Sequence, residues 1–281
     1  MKIMKKLLFI TAIAAVSFFT SCSDDNEVSS EDIVESMDIE SEAALESSYE
    51  DVDLIVEASM ETVDTGGRIG QDDILDCAIV THDRENNTVT IDYGDGCEGP
   101  GGRIRAGKIL ITYNDHRLVP GAFREATFED FSIDGVLVEG TRRVENISES
   151  TDDHPTFSIT LTGGKLTFED ETTVTREAAR TRTWIRANSP IDDETQVEGN
   201  ASGSRRDGVT YSMEIIERLI YKRACWARGV YVPVSGVKQF TSGDNVAIVD
   251  YGDGECDYLA TVTVNDGEPF EITLRPRRRL R

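Results

Sequence analysis

The stretch VTIDYGDGC, residues 89–97, joins an alternating apolar segment to a glycine-rich turn. Val89, Ile91 and Tyr93 fall on one side of an extended chain, because side chains of a β-strand point alternately to its two faces. The glycines that follow permit a tight turn with positive φ, and the aspartates can accept hydrogen bonds from its backbone. The stretch therefore predicts a β-strand with one buried face that ends in a tight turn.

The same alternation continues along the chain beyond Gly67. Short polar or glycine-containing segments separate the alternating sets and are typical of hairpin turns. Roughly ten to twelve strands joined in this way predict an all-β fold, an antiparallel meander forming a curved sheet or an open barrel; a two-sheet β-sandwich is the alternative. The further apolar sets are Ile109/Ile111/Tyr113, Phe157/Ile159/Leu161, Leu166/Phe168 and Tyr211/Met213/Ile215, and the predicted turns are Asn86-Asn87, Gly163-Gly164, Asp207-Gly208 and Ser242-Gly243.

An acidic segment with a helical pattern precedes the β region. From Ser23 to Asp64 the chain holds 16 acids and no Lys, Arg or His. Like charges without a cation would destabilise an isolated helix, so this segment either docks a helix on the β domain or is disordered. We favour a docked helix over residues 41–62 and disorder over 23–30. The apolar stripe consists of Ile33, Met37, Leu45, Tyr49, Val52, Val56 and Met60.

The chain begins with a pattern typical of exported proteins. Three lysines precede an apolar run from Leu7 to Phe19, which is too short to span a membrane stably. Phe19-Thr20-Ser21-Cys22 resembles a bacterial lipobox, which implies cleavage before Cys22 and acylation of that cysteine. We therefore divide the chain into a signal peptide (1–21), a lipid-anchored acidic tether with a helix (22–66) and a β domain with a basic C-terminal tail (67–281). The tail arginines are Arg275, Arg277, Arg278, Arg279 and Arg281.

Two similar blocks carry a family resemblance. Residues 89–97 and 246–256 share a DYGDG word followed by a cysteine, with GRIRAGKILITY after the first block and YKRACW before the second. Over residues 70–275 the chain resembles an uncharacterised family of large Bacteroidetes-type surface lipoproteins. The acidic Ser23-Asp24-Asp25-Asn26-Glu27 is likewise similar to the tether of such lipoproteins. The resemblance implies a β-rich fold and display on the outer face of the outer membrane, with no established activity; a periplasm-facing anchor is the alternative.

Several kinds of chemistry are disfavoured by the sequence. GDGCEG and GRIRAGK fit nucleotide-binding patterns, but Pro100 follows the first and Ile109 occupies the magnesium-ligand position of the second. The acid triplets at Asp92, Asp95 and Glu98 and at Asp250, Asp253 and Glu255 offer too few oxygens at the wrong spacing for an EF-type calcium loop, so a structural turn is favoured. The mature chain has a formal charge of −27, from 26 bases and 53 acids. That charge repels nucleic acid. We expect no nucleotide, metal or cofactor.

One strand carries a candidate ligand-binding surface. Arg176, Arg180, Arg182, Trp184 and Arg186 share one parity, so a regular strand places four guanidiniums and an indole on one face. Such a face can bind carboxylated or sulfated sugars through paired hydrogen bonds and stacking. The alternative is internal salt bridging with the acids of the chain. We predict in particular that the helix over 41–62 docks across the sheet and brings its acids to these arginines.

Four cysteines remain after Cys22, and they allow three pairings in an oxidising compartment. A hairpin turning at Asn86-Asn87 places residue 77 opposite residue 96, which predicts a Cys77–Cys97 disulfide. A hairpin turning near Ser242-Gly243, with a bulge over residues 233–236, predicts a Cys225–Cys256 disulfide.

These features together favour a non-enzymatic, surface-exposed outer-membrane lipoprotein that acts as a binding or adhesive module. Its expected partners are the membrane, through the lipid anchor, and a glycan or host-protein ligand. A structural or envelope-assembly lipoprotein is the first alternative, and a glycan-processing enzyme is the second. No G-x-S-x-G, H-E-x-x-H or Cys-His signature is present.

Overall fold

A computed structural model describes residues 39–65, 74–99, 102–150, 154–228, 230 and 232–274. The predictions for the signal peptide, Cys22, residues 23–30, Ile33, Met37 and the C-terminal arginines lie outside the described residues. Among those described, a 14-stranded sheet is accompanied by a long helix, a helical turn and a 3₁₀ turn.

The sheet is an antiparallel meander in which the strands follow one another in chain order, apart from a short strand that pairs beside the path. Its first and last strands do not pair, so the curved sheet stays open. The predicted all-β meander is confirmed, and one continuous sheet takes the place of the two-sheet sandwich. The strands are β1 Ile79–Asp83, β2 Thr88–Asp92, β3 Cys97–Glu98 (paired with β4), β4 Ile104–Tyr113, β5 Phe123–Ile133, β6 Val136–Asn146, β7 Thr156–Thr167, β8 Thr173–Ile185, β9 Glu194–Ser204, β10 Thr210–Lys222, β11 Ser235–Ser242, β12 Asn245–Asp253, β13 Leu259–Val264 and β14 Phe270–Thr273.

The long helix, α1 (Ile39–Thr65), packs on the inner face of the sheet and forms one core with it. The predicted stripe from Leu45 to Met60 is buried, and Ile55 adds a further fully buried side chain. The sheet curves around the helix, since acids of α1 contact strands as far apart as β4 and β11. The predicted docking of this segment is therefore confirmed.

Three of the four predicted hairpin turns occur where glycine or asparagine has positive φ, and the fourth does not form. The turns around Asn87, Gly208 and Gly243 lie between strands as predicted. Gly163-Gly164 does not form a turn: it continues β7 through an irregularity in the pairing with β8. A Cβ on Gly164 would approach the Arg176 carbonyl oxygen to 2.6 Å, so the glycine is required by close backbone packing inside the sheet.

Both predicted disulfides are present. Cys77 and Cys97 are bonded with their Cα atoms 6.0 Å apart, and Cys225 and Cys256 with theirs 5.2 Å apart. The first hairpin differs in register from the prediction, because Ile79 pairs with Asp92 and Cys97 lies on β3. Cys225 lies in α2 (Arg223–Trp226), and the predicted bulge falls at Gly236.

Between β4 and β12 the meander also sorts its connections by length. Residues 114–122, 147–155, 186–193 and 223–234 connect strands at one end of the sheet, whereas residues 134–135, 168–172, 205–209 and 243–244 connect them at the other. We call the first of these the long-loop end. The candidate site lies toward it.

Candidate ligand-binding site

The arginine face predicted on β8 lies on the inner side of the sheet, toward α1. Arg176 is buried and the Arg180 side chain is nearly so, while Arg182 and Trp184 are half-buried. Arg186 lies just beyond the strand and its guanidinium lies 5.0 Å from the centre of the Trp184 ring. The shared parity is therefore confirmed, but the face is mostly enclosed by the helix.

One face of α1 supplies the opposing charges. Glu46, Glu50, Asp53 and Glu57 recur at helical spacing and all border the same cavity. Glu46 forms a salt bridge with Arg180 and lies 3.5 Å from Lys238 Nζ and 4.0 Å from Arg176 Nη2. The predicted approach of helix acids to the arginine face is confirmed for these two arginines of β8.

Further arginines on neighbouring strands complete the contacts. Arg142 Nε and Nη2 donate to the two carboxylate oxygens of Asp53 at 3.0 and 2.8 Å. Glu57 pairs with Arg117 and with Arg124. On the other flank of the helix, Arg105 donates two hydrogen bonds to the buried Asp51, at 2.9 and 2.7 Å. These arginines were not among the predicted site residues, although Arg105, Arg124 and Arg142 share the parity of the inward apolar residues on their strands.

A cavity of about 680 Å³ remains between α1 and the part of the sheet nearest the long-loop end. Its walls are mainly apolar, with contributions from Ala126, Val144, Ile159, Ala178 and Val197. Seven arginines and five acids also line it, so the cavity has an excess of positive charge in a strongly acidic chain. Trp184 Nε1 donates to Asp193 Oδ2 at 2.9 Å, which fixes the indole at the cavity edge.

Several polar side chains border this cavity without a hydrogen bond or salt bridge to any described residue, and they include the Glu50 carboxyl, the Arg182 guanidinium and the Tyr221 hydroxyl. Arg182 differs here from the prediction, because none of the α1 acids whose side chains the structure describes forms a salt bridge with it. Its carbon Cζ instead lies 5.9 Å from the centre of the Phe157 ring. Polar groups left free inside a mainly apolar cavity are typical of ligand sites.

The surroundings of the cavity shift the pKa values of Glu46 and Glu50 in opposite directions. Burial alone would raise the pKa of Glu46, but Arg180, Lys238 and Arg176 outweigh it and hold that pKa well below its usual range. Glu50 is surrounded by protein although its side chain is open to the cavity; burial, followed by the charge of Glu46, raises its pKa to about 7. Burial also lowers the pKa of Arg182. Because burial disfavours the charged guanidinium of Arg182, binding of an anionic partner to it in the cavity would be favourable.

The two DYGDG blocks share one local hydrogen bond, but only the first forms the predicted turn; in the second, residues 250–253 continue β12 through an irregularity in its pairing with β11. Asp92 Oδ1 accepts a hydrogen bond from the Gly94 amide at 2.8 Å, and Asp250 Oδ1 accepts one from the Gly252 amide at 2.9 Å. Both glycines have positive φ. In the described part of the chain, no group of three or more His, Cys, Asp or Glu side chains is arranged to hold a metal ion.

The nucleotide-like pattern around GRIRAGK also has a structural explanation. Residues 104–108 form the beginning of β4, where the glycine-rich pattern of a phosphate loop would lead into a helix. Lys108 Nζ lies 3.0 Å from Asp92 Oδ2 and so serves the first DYGDG turn.

Comparisons with protein-family models, with curated proteins and with solved structures find no match to this chain. Among the residues described, no helix is both long enough and apolar enough to cross a bilayer.

Proposed function

We propose that this protein is a non-catalytic binding module that holds an anionic ligand in the cavity between α1 and the sheet. The observation that carries the proposal is a cavity of about 680 Å³ bordered by polar groups that form no hydrogen bond or salt bridge with a described residue, among them Glu50, Arg182 and Tyr221. Cavities of this size, mainly apolar with a few placed polar groups, are the usual form of small-molecule sites.

The charge balance favours an anion. Arg180, Arg142 and Arg117 form salt bridges with acids of α1, whereas Arg182 forms none with a described side chain and is attracted by Asp53 and Glu50 only from a greater distance. A guanidinium in such surroundings gains most from a carboxylate, sulfate or phosphate that accepts two of its hydrogen bonds. Of the candidate anionic-ligand residues on β8, Arg182 therefore remains the main contact for a ligand. Trp184 and Arg186 lie near the edge of the cavity.

Binding can be tested with the purified chain over residues 23–281, which omits the acylated cysteine. Thermal shift and calorimetry would be run against glucuronate, a sulfated polysaccharide and dodecanoate. Val144→Trp places an indole in the cavity, and Thr160→Trp places one on the outer face of the neighbouring strand as the control. We expect at least one anionic compound to bind and Val144→Trp alone to abolish binding. No binding by any of the three, or equal binding by both variants, would contradict the proposal.

We further propose that the module is anchored by lipid at Cys22 and displayed at the outer membrane, most favourably on its outer face. The support is the lipobox-like Phe19-Thr20-Ser21-Cys22 and the acidic stretch after it. Cys22→Ala should abolish metabolic labelling with palmitate and release the protein from membranes, because no other segment of the chain is comparably apolar. Unchanged labelling would remove the lipid anchor from the proposal.

A glycan-processing enzyme is a second candidate, favoured by Glu50. A carboxyl with a pKa of about 7 in a cleft is suited to act as a general acid, and Asp53 and Glu46 lie close enough to affect it. Those two neighbours are held in arginine pairs, which is why we place binding first. Release of sugar from a glycan substrate by the wild type, lost in Glu50→Gln, would establish the enzyme.

A further inference from the structure

We propose that the ligand of this cavity is a single-chain anionic amphiphile, with its acidic group on Arg182 and its hydrocarbon chain along the apolar wall. The inference rests on the proposed function and narrows it from an anion to an anionic amphiphile. A fatty-acid carboxylate and a lysolipid phosphate share this chemistry.

The strand neighbours of Arg182 are apolar, while Asp53, Arg142 and Glu50 act on its charge. On β7 the residue paired with it is Phe157, and on β9 it is Val197; both line the cavity. Arg182 therefore offers a positive charge between two hydrophobic side chains. A ligand that satisfies this guanidinium must place its anionic group beside apolar surface, which suits an amphiphile whose chain begins next to its head group.

The apolar wall continues beyond these neighbours. Val144 on β6 pairs directly with Ile159 on β7, and both line the cavity together with Ala126 and Ala178. Burying a hydrocarbon chain against such a surface contributes about 0.8 kcal/mol for each methylene group. The wall thus supplies the binding energy that a chain needs.

A sugar would find few partners here. Among the lining side chains, the uncharged hydrogen-bonding groups other than tryptophan are those of Tyr49, Asn146, Thr195 and Tyr221. The first two are already engaged: Tyr49 bonds the backbone of β6 and β7, and Asn146 bonds Arg117 and Ser148. Together with Glu50 and Arg182, the two remaining hydroxyl groups are too few to satisfy the many hydroxyls of a buried sugar, some of which would be left without hydrogen bonds.

The cavity edge carries exposed apolar side chains as well. Leu54 on α1 is 61% exposed and Trp226 in α2 is 39% exposed, and both line the cavity. Large apolar side chains next to a cavity opening provide contact for a chain that enters or leaves. Trp226 belongs to the connection 223–234, so this contact lies at the long-loop end.

The test uses dodecanoate and dodecyltrimethylammonium, which carry equal chains with opposite charges, and glucuronate, which has the charge without the chain. Each is titrated by calorimetry, below its micelle concentration, into the 23–281 protein and its variants Arg182→Met and Arg182→Lys. Arg218→Met, at an exposed arginine of the outer face that pairs with Glu198, is the control.

We expect dodecanoate to bind at least about tenfold more tightly than dodecyltrimethylammonium, and glucuronate to bind weakly or not at all. Arg182→Met should weaken dodecanoate binding by about tenfold or more, Arg182→Lys should restore most of it, and Arg218→Met should change nothing. Unchanged thermal unfolding of each variant would show that the fold is intact.

The outcomes separate the two proposals. Tight glucuronate or polysaccharide binding that requires Arg182, without dodecanoate binding, would overturn the amphiphile and keep the binding module. Dodecanoate binding that is unaffected by Arg182→Met and by Val144→Trp would place the amphiphile outside the cavity and overturn the inference. Failure of every anionic probe would overturn both.

Discussion

The hydroxyl of Tyr49 takes the place of missing hydrogen bonds between β6 and β7. At Gly140 the pairing of the two strands is irregular, and the freed backbone groups are the Glu139 carbonyl and the Lys165 amide. Tyr49 donates to the carbonyl at 2.6 Å and accepts from the amide at 2.9 Å. One side chain of the helix therefore completes the hydrogen bonding of the sheet.

Tyr49→Phe should lower the free energy of unfolding by about 1–3 kcal/mol, because two enclosed backbone groups would lose their partner. Tyr221→Phe is a matched control, since the Tyr221 hydroxyl bonds no described residue. Urea unfolding of both variants measures the difference. Equal effects of the two changes would show that the Tyr49 hydrogen bonds contribute no net stability.

Glu50 gives the stability of the protein a pH dependence with a defined sign. Its pKa rises from 4.5 to about 7 on folding, so the folded state holds a proton that the unfolded state releases between these values. Stability therefore falls as the pH rises through this window and levels off above it. Glu50→Gln should be more stable than the wild type by about 1 kcal/mol at pH 8, since solvent in the cavity screens the charge, and the difference should vanish below about pH 4.5. Urea unfolding across this range measures it; a constant difference would contradict the shift.

At the scale of elements, α1 and the sheet depend on each other. The helix has acids on two flanks and an apolar stripe between them, and Arg105, Arg142 and Arg180 extend from the sheet to meet those acids. Buried ion pairs contribute little net stability but are costly to break on one side. The apolar stripe must therefore supply most of the docking energy, and the ion pairs fix the position of the helix.

Two neighbouring residues of α1 test whether apolar burial supplies most of the docking energy. Ile55 is fully buried in the core, and Leu54 is 61% exposed. Ile55→Ala should cost about 2–5 kcal/mol of stability and increase binding of a hydrophobic dye, whereas Leu54→Ala should cost no more than about 0.5 kcal/mol. Thermal and urea unfolding compare the two. A small effect at Ile55 would mean that the helix contributes little to the core.

The sequence predicted those elements whose pattern is local. The alternation of apolar and polar residues correctly predicted which side chains of β2, β4 and β10 face the core. The apolar stripe of α1 at helical spacing predicted that the helix docks. Gly163-Gly164 could not be assigned in this way, because glycine permits a turn and an irregular strand equally. The site was partly predictable, since the parity of β8 placed its arginines together. Which acid contacts which arginine was not predictable, because Asp53 and Arg142 lie 89 positions apart and only the docking of α1 on the sheet brings them together.

For the whole molecule, the sign of the charge differs between the cavity and the chain. The cavity has two more arginines than acids, while the whole chain has a formal charge of −24. An anionic ligand is therefore repelled at long range by the molecule and attracted at short range by Arg182. Salt separates the two effects, because the screening length falls from about 30 Å at 0.01 M to about 8 Å at 0.15 M and acts far less on enclosed pairs.

Long-range repulsion combined with short-range attraction predicts an unusual effect of salt on the binding rates of the proposed amphiphile. Raising sodium chloride from 0.01 to 0.15 M should increase the association rate constant of dodecanoate by a few-fold, because the repulsion is screened before contact. The dissociation rate should change little, since Arg182 holds the ligand inside the cavity. Dodecyltrimethylammonium, attracted by the same field, should associate more slowly as salt is added, and this control separates charge screening from the general effect of salt on hydrocarbon chains. Stopped-flow tryptophan fluorescence measures both rates, with Trp184 and Trp226 as reporters beside the cavity. An association rate for dodecanoate that falls with salt would mean that the encounter is governed by a cationic surface, and the binding site would have to be sought outside the acidic part of the chain.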